Sequence, residues 1–387
     1  MSKPGDSLFS SSAVALYVTG LIAFIGLYLP QPVLPLISDY FGVATGRSSL
    51  VISLTILGIG LAAPFIGILS DRFGRKTIIL LAAFLLSLIS LGAALSQHFG
   101  TLLLLRFAQG LALPGLFVIA LTYTSEQSSK TQMAGIAGLY VASTVVGGII
   151  GRLLEGFITD LYSWRQGFAA SSVLYLLLVV LWSREKGKEF SSSSSLLKAL
   201  SGTLKHLGNT TLAAGLALGF CLFFAFQTCF TYLPFKLSAA PFSLSASLIS
   251  LVYLSFIAGI LSSSLAGKIR QRYGLRNGFA LGFVAALLGN VISLSSSLPL
   301  VFLGLLFICF GNWLVQGLAV GFITTAVDSD RAGANALYQL AYYLGGSLGA
   351  YLPGLIYDRF AFAGAISMGL LALTVGLSIS LTRIKLR

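Results

Sequence analysis

Charged residues are scarce in this sequence. They make up 9% of its 387 residues, whereas 56% are hydrophobic, and the mean hydropathy is +0.93. Soluble domains carry about a quarter charged residues, so this composition excludes a soluble globular fold. Apolar runs of about 20 residues recur along the chain, each long enough to cross a bilayer. Because lipid offers the backbone no hydrogen bonds, these runs must be helices. The sequence therefore predicts an all-α, polytopic membrane protein.

Cysteine and histidine are also rare, with three and two residues. Cys221, Cys229 and Cys309 fall in apolar runs, which favours packing over disulfide bonding. His98 and His206 fall in loops predicted on opposite sides of the membrane. An integral-membrane enzyme needs clustered acids, bases or metal ligands. We therefore expect no enzyme, no metal and no bound cofactor.

Twelve apolar runs have the length of a membrane span. They cover residues 13–37, 47–69, 77–96, 100–122, 132–159, 164–183, 210–235, 243–266, 277–296, 298–326, 332–357 and 360–381. A hydrophilic, serine-rich stretch at 184–209 reads as a linker between six runs and six. It predicts an amino-terminal bundle over 1–183 and a carboxy-terminal bundle over 210–387.

The basic residues are distributed unevenly between the two sides of these runs. With the amino terminus inside, eighteen of the 24 Lys and Arg residues fall on the cytoplasmic side and four on the other. The positive-inside rule then predicts that both termini are cytoplasmic. The net charge of +13 follows from this topology, and we expect no nucleic-acid partner.

The two predicted bundles repeat one another in sequence. The glycines of span 5 recur in span 11 at a constant offset. An arginine and a glycine that follow span 2 recur in the same way after span 8. The matches are Gly147, Gly148 and Gly151 with Gly345, Gly346 and Gly349, and Arg72 and Gly74 with Arg272 and Gly274. Two six-span repeats are the architecture of alternating-access transporters.

Three motifs carry a resemblance to a known family. The stretch 67–76 reads GILSDRFGRK, residues 106–110 read RFAQG, and span 5 carries regularly spaced glycines followed by Arg152 where a proline is usual. With these motifs the chain resembles the major facilitator superfamily, and in particular its drug:proton antiporters of the AraJ/YnfM type. The resemblance implies twelve helices in two pseudo-symmetric six-helix bundles. It also implies that Asp71, with Arg72 and Arg75 beside it, is a gate that joins the start of span 11 in one conformation.

Three charged side chains lie inside predicted spans. Arg106, Arg152 and Glu155, together with Gln31, fall at one level in the outer third of the membrane. Residues three apart share a helix face, so we expect Arg106 to lie beside Gln109 and Arg152 beside Glu155. Charges inside a membrane are usually paired and directed toward the protein interior.

Glu155 is the one acid of eleven that falls inside a span. Burial favours the protonated form of a carboxyl group, and a nearby arginine favours its charged form. A change in surroundings would therefore move a proton on or off this group. We expect Glu155 to be the coupling carboxylate, and Asp71 is a secondary candidate.

Amides and aromatic side chains mark the predicted substrate site. Few directed hydrogen bonds among aromatic rings suit an amphipathic organic molecule. The candidates are Tyr28, Gln31, Arg106, Gln109, Gln227, Asn312, Trp313, Gln316, Tyr338 and Tyr342.

These features predict a transporter of the bacterial inner membrane, working as a monomer and driven by the proton gradient. The first interpretation is export of small amphipathic compounds such as drugs or metabolites. The alternative is transport of organic anions, such as carboxylate metabolites or siderophore-like chelators, because two arginines face one glutamate inside the spans. A channel or receptor is a further possibility that saturable, gradient-dependent flux would exclude.

Overall fold

A computed structural model describes residues 8–185, 208–327 and 331–384, and all regular elements within these ranges are helical. The helices of the first half are α1 (Ser11–Tyr28), α2 (Leu34–Phe41), α3 (Thr45–Ser48), α4 (Leu50–Phe73), α5 (Arg75–Leu95), α6 (Phe99–Gln127), α7 (Lys130–Leu161) and α8 (Trp164–Arg184). The second half contains α9 (Thr210–Ser238), α10 (Ala246–Leu251), a 3₁₀ turn (Val252–Phe256), α11 (Ile257–Ile292), α12 (Leu298–Thr325), α13 (Arg331–Tyr351) and α14 (Gly354–Arg383). Most of the predicted linker lies outside the described residues, so its boundaries stay a prediction.

The described helices provide the twelve predicted spans. Ten segments are long and apolar enough to cross a membrane. One of them, residues 246–292, contains two spans, because Gly274 has a φ of 77° and turns the chain inside α11. The helix α13 supplies the remaining span, packed against α4 and α9. Gly74 has a φ of 90° between α4 and α5. Both turn glycines have the backbone freedom that these positions require.

The buried side chains separate into three clusters. The largest combines residues of both halves, among them Val33 and Trp164 with Phe230 and Tyr253. The buried members of the second cluster all lie within 13–182, and those of the third all lie within 212–384. The shared cluster lies where α1, α7 and α9 end and where α4, α10 and α12 begin. We name this the closed end of the molecule. At the opposite end each half has a core of its own, and we name that the open end.

Close backbone contacts join the halves at the closed end. A Cβ on Gly46 would lie 2.6 Å from the carbonyl oxygen of Gly354, and one on Gly156 would lie 2.6 Å from that of Ala246. The Ser53 hydroxyl donates to the carbonyl of Ser347 over 2.8 Å. Toward the open end, none of residues 61–69 of α4 or 339–344 of α13 is buried. The halves therefore meet at one end and diverge toward the other.

Candidate functional site

Arg106 is held in the core of the first half. It is fully buried, and its guanidinium donates to the carbonyls of Val51, Gly26 and Leu27 over 3.0, 3.2 and 2.7 Å. It also donates to the side-chain oxygen of Gln109. The expected neighbourhood of Arg106 and Gln109 is therefore confirmed.

The position of Pro30 explains why Arg106 binds those carbonyls. Proline has no N–H, so the carbonyl of Gly26 lacks its usual helical donor four residues later. The N–H of Gln31 bonds to Tyr28 instead of Leu27. Both freed carbonyls accept from Arg106. The side-chain amide nitrogen of Gln109 lies 3.4 Å from the carbonyl oxygen of Gly26. The RFAQG motif thus supplies the hydrogen bonds that the break in span 1 removes.

The glycine of the same motif sets the approach of α6 to α4. A Cβ on Gly110 would overlap the carbonyl oxygen of Thr55, and one on Gly58 would lie 2.7 Å from that of Phe107. Small residues permit such close packing in membranes. Arg106 can reach α1 and α4 because these backbones are so near.

Arg152 lies between the two halves, fully buried, and donates to neutral oxygens. Its Nε and Nη2 donate to the side-chain oxygen of Gln31 over 2.8 and 2.6 Å, and its Nη1 donates to the carbonyl of Gly148 over 2.7 Å. The rings of Tyr28, Tyr253 and Phe256 surround the guanidinium. Two of these rings belong to the second half.

Glu155 is fully buried but does not pair with Arg152. Among the described residues, the salt bridges are those of Arg75 with Asp71 and Glu126, and neither oxygen of Glu155 has a hydrogen-bond partner. The carboxylate of Glu155 lies against α8 at Gly167, where a Cβ would overlap it. The predicted contact of Arg152 with Glu155 is wrong.

Helix geometry explains this outcome. Three residues at 3.6 per turn leave the two side chains about 60° apart around α7. Long side chains lean toward the helix amino terminus, which brings Arg152 onto the carbonyl four residues before it. Arg152 therefore faces α1 and the second half, whereas Glu155 faces α8.

The predicted gate residues form an ion cluster at the open end. Arg75 binds Asp71 and also Glu126 of α6, with 2.8 Å between Nη2 and Oε1. Arg72 is exposed and its guanidinium lies 5.4 Å from the ring of Phe73. Residues 328–330, directly before span 11, lie outside the described residues, and the contact of Asp71 with the start of that span stays a prediction.

The predicted substrate residues divide by exposure. Gln31, Arg106, Gln109 and Gln227 are fully buried, and Asn312 and Tyr338 are nearly so. Tyr28, Trp313, Gln316 and Tyr342 are partly exposed, so these four are the candidates that a ligand can reach in this conformation. Within the described part of the chain, Gln227 and Asn312 have polar side-chain atoms without a hydrogen-bond partner.

Aromatic side chains connect these positions in the second half. The ring of Phe223 stacks on Tyr342 with centroids 4.1 Å apart, and Trp313 packs against Phe226 and Phe256 at 5.4 and 5.1 Å. The wall is apolar with a few amide and hydroxyl groups. This chemistry suits an amphipathic organic molecule.

Asp160 is a functional candidate that the sequence analysis did not select. Its two carboxylate oxygens accept from the backbone N–H groups of Ala246 and Ser247, over 3.1 and 3.0 Å. It therefore caps the start of α10, across the interface between the halves. Its recurrence as Asp358 in the second repeat was an available signal. The roles of Tyr253 and Phe256 had no comparable signal.

Replacing Asp160 by alanine is expected to loosen the closed end. Losing a cap acceptor costs about 0.5–2 kcal/mol, which corresponds to roughly 2- to 30-fold more opening. Ser250 is fully buried against Gly156, so a Ser250→Cys probe in a chain without the native cysteines should react with maleimide faster by that factor. The matched control is Asp358→Ala, at an exposed position. Equal rates in the two variants would refute the capping role.

The comparisons with known proteins agree with this architecture. The sequence model of the Major Facilitator Superfamily matches residues 16–350. The chain belongs to the major facilitator superfamily. It is therefore a multi-pass membrane transporter, and the sequence resemblance is confirmed.

Two bacterial relatives match over nearly the whole chain. The inner membrane transport protein YnfM of Escherichia coli is 30% identical over 378 residues, which cover 97% of this chain and 91% of that one. The uncharacterized MFS-type transporter YybF of Bacillus subtilis is 27% identical over 381 residues, which cover 98% and 94%.

Solved structures share the fold. A mutant of the nucleoside transporter NupG has a TM-score of 0.81 at 14% identity, covering 95% of this chain and 98% of that one. A bacterial homolog of the human lysosomal transporter Spinster, inward-facing and unoccupied, has a TM-score of 0.73 at 17% identity, covering 95% and 94%.

Proposed function

We propose that this transporter is a proton-coupled exporter of small amphipathic organic compounds, with Glu155 as its proton-binding group. The observation that supports this is the state of Glu155: it is fully buried and neither of its carboxylate oxygens has a hydrogen-bond partner among the described residues. An unpaired carboxylate is costly in such surroundings, and such groups usually take up a proton. If α7 moved on α8 so that water reached Glu155, the carboxyl group would release this proton.

The orientation of the two ends in this proposal follows from the distribution of basic residues. With both termini in the cytoplasm of a bacterial cell, the closed end faces outward and the open end faces the cytoplasm. Compounds would then bind from the cytoplasm to the aromatic wall that includes Trp313 and Tyr342. Release of the Glu155 proton to the cytoplasm would accompany substrate binding, and a proton taken up from outside after the other end opens would replace the exported substrate.

The amphipathic substrate class has better support than the anionic one. Arg106 and Arg152 have no carboxylate at salt-bridge distance among the described residues, which is the observation in favour of an anion. Both guanidinium groups are, however, fully buried and bonded to protein oxygens. A substrate anion would have to displace those bonds, so the partly exposed aromatic wall is the better binding surface.

Flux into proteoliposomes tests the proposal. The purified protein is reconstituted and given an imposed pH gradient and a panel of cationic dyes, anionic dyes, sugars, amino acids and organic acids. We expect saturable flux of amphipathic compounds that collapses when the gradient is dissipated. Flux restricted to small organic anions would support the alternative, and gradient-independent flux would contradict proton coupling.

A further inference from the structure

The aromatic rings around Arg152 form a box that the two halves build together. The guanidinium carbon lies 4.2 Å from the ring centroid of Tyr28 in α1, 4.6 Å from that of Tyr253 and 4.8 Å from that of Phe256. All three rings are within the range in which an aromatic face attracts a cation. The box therefore has one wall in the first half and two in the second.

The 3₁₀ turn explains how two successive rings of the second half face one cation. A 3₁₀ helix has three residues per turn, so side chains at positions i and i+3 eclipse one another. Tyr253 and Phe256 are three apart in the turn Val252–Phe256. In an α-helix they would diverge by about 60°. A stretch of 3₁₀ helix inside a longer helix often marks a functional element.

The remaining contacts of the guanidinium are neutral. Gln31 accepts two hydrogen bonds from it and the carbonyl of Gly148 accepts a third. No carboxylate of the described residues lies within salt-bridge distance of Arg152. Aromatic faces around a positive charge are one means by which proteins recognise organic cations.

We propose that this box is a binding site for an organic cation, and that the side chain of Arg152 is its built-in occupant. The occupied box joins Tyr28 and Arg152 of the first half to Tyr253 and Phe256 of the second, and so holds the closed end together. Opening of that end separates the walls and frees the rings of Tyr253 and Phe256 for a cation of guanidinium size. This site does not depend on proton binding by Glu155.

Refilling the emptied box tests the proposal. In detergent-solubilised Arg152→Ala, low millimolar guanidinium chloride should raise the midpoint of thermal unfolding. Urea has the same shape and hydrogen-bond donors without the charge. A cation–ring attraction in a desolvated site predicts that guanidinium binds at least about tenfold more tightly than urea. Sodium chloride at equal concentration controls for ionic strength. Equal effects of guanidinium and urea would overturn the proposal.

A second variant separates the box from a generic cavity. Adding Phe256→Leu to Arg152→Ala removes one ring but retains Gln31 and Gly148, so the preference for guanidinium should fall severalfold. An unchanged preference would contradict a role for the rings. If Arg152→Ala does not survive purification, the same ligands are added during extraction. Recovery with guanidinium alone supports the site, and recovery with both ligands or with neither argues against it.

Discussion

Glu155→Gln is expected to abolish proton-driven accumulation of substrate while substrate-for-substrate exchange continues. Glutamine has nearly the shape of glutamate but cannot bind and release a proton. With one proton per substrate, a pH difference of one is worth about 1.4 kcal/mol and sets a limiting concentration ratio of about ten. In the variant the ratio should fall to about one. Proteoliposomes with an imposed pH gradient measure it directly.

Asp160→Asn is the matched control for this experiment. It removes a carboxylate five residues away on the same helix, but the amide oxygen can still accept from the start of α10. The rate of transport is expected to change, whereas accumulation should still follow the pH gradient. If Glu155→Gln accumulates substrate as the unmodified protein does, Glu155 is not the coupling group.

Arg106→Leu is expected to destabilise the folded protein strongly. The carbonyls of Gly26 and Leu27 would lose the Arg106 donor in a buried core, and each unsatisfied acceptor costs about 1–3 kcal/mol. We expect the free energy of unfolding in mild detergent to fall by about 2–5 kcal/mol. Arg165→Leu is the control. That side chain is partly exposed, donates to the carbonyl of Ala94 and lies over the rings of Tyr40 and Trp164, so its removal should cost about 1–2 kcal/mol.

Pro30→Ala tests whether Arg106 stabilises the protein by replacing the N–H that Pro30 lacks. Alanine restores an N–H that can bond to the carbonyl of Gly26, so the loss caused by Arg106→Leu should be smaller by about 1–2 kcal/mol in the Pro30→Ala background. Denaturation of the four proteins of this double-mutant cycle gives the coupling energy. Strictly additive effects would contradict the explanation that Arg106 compensates for the proline.

Much of the fold could be predicted from sequence because its causes are local. The length of the apolar runs required helices, and Gly74 and Gly274 turn the chain where the repeat predicted it. Arg106 and Gln109 are neighbours, as their spacing of three residues on one helix predicted. The hydropathy of residues 13–37 predicts one continuous span, whereas the structure divides it into α1 and α2. Pro30, which has no N–H to donate, lies in the break between them.

The candidate site was less predictable, since its partners are remote in sequence. Arg152 and Glu155 have the same spacing as Arg106 and Gln109, yet they face different neighbours. Spacing gives the angle between two side chains, but not which helix lies beside each of them. Asp160 was visible only as a repeated residue, and its two N–H partners lie 86 and 87 positions away.

The sequence by itself determined that this protein crosses a membrane twelve times, in two related halves, and that charged side chains fall inside the predicted spans of the first half only. Those properties follow from hydropathy and duplication, which act residue by residue. Only the tertiary structure decided which residues surround each buried charge. Within residues 147–156, Gly147 and Gly151 pack on α1 and Gly156 packs on α10. Arg152 lies among aromatic rings of both halves, and Glu155 lies against Gly167 with no hydrogen-bond partner among the described residues. The physical reason is that a buried charge is solvated by whichever helices pack around it, and that packing depends on the whole bundle.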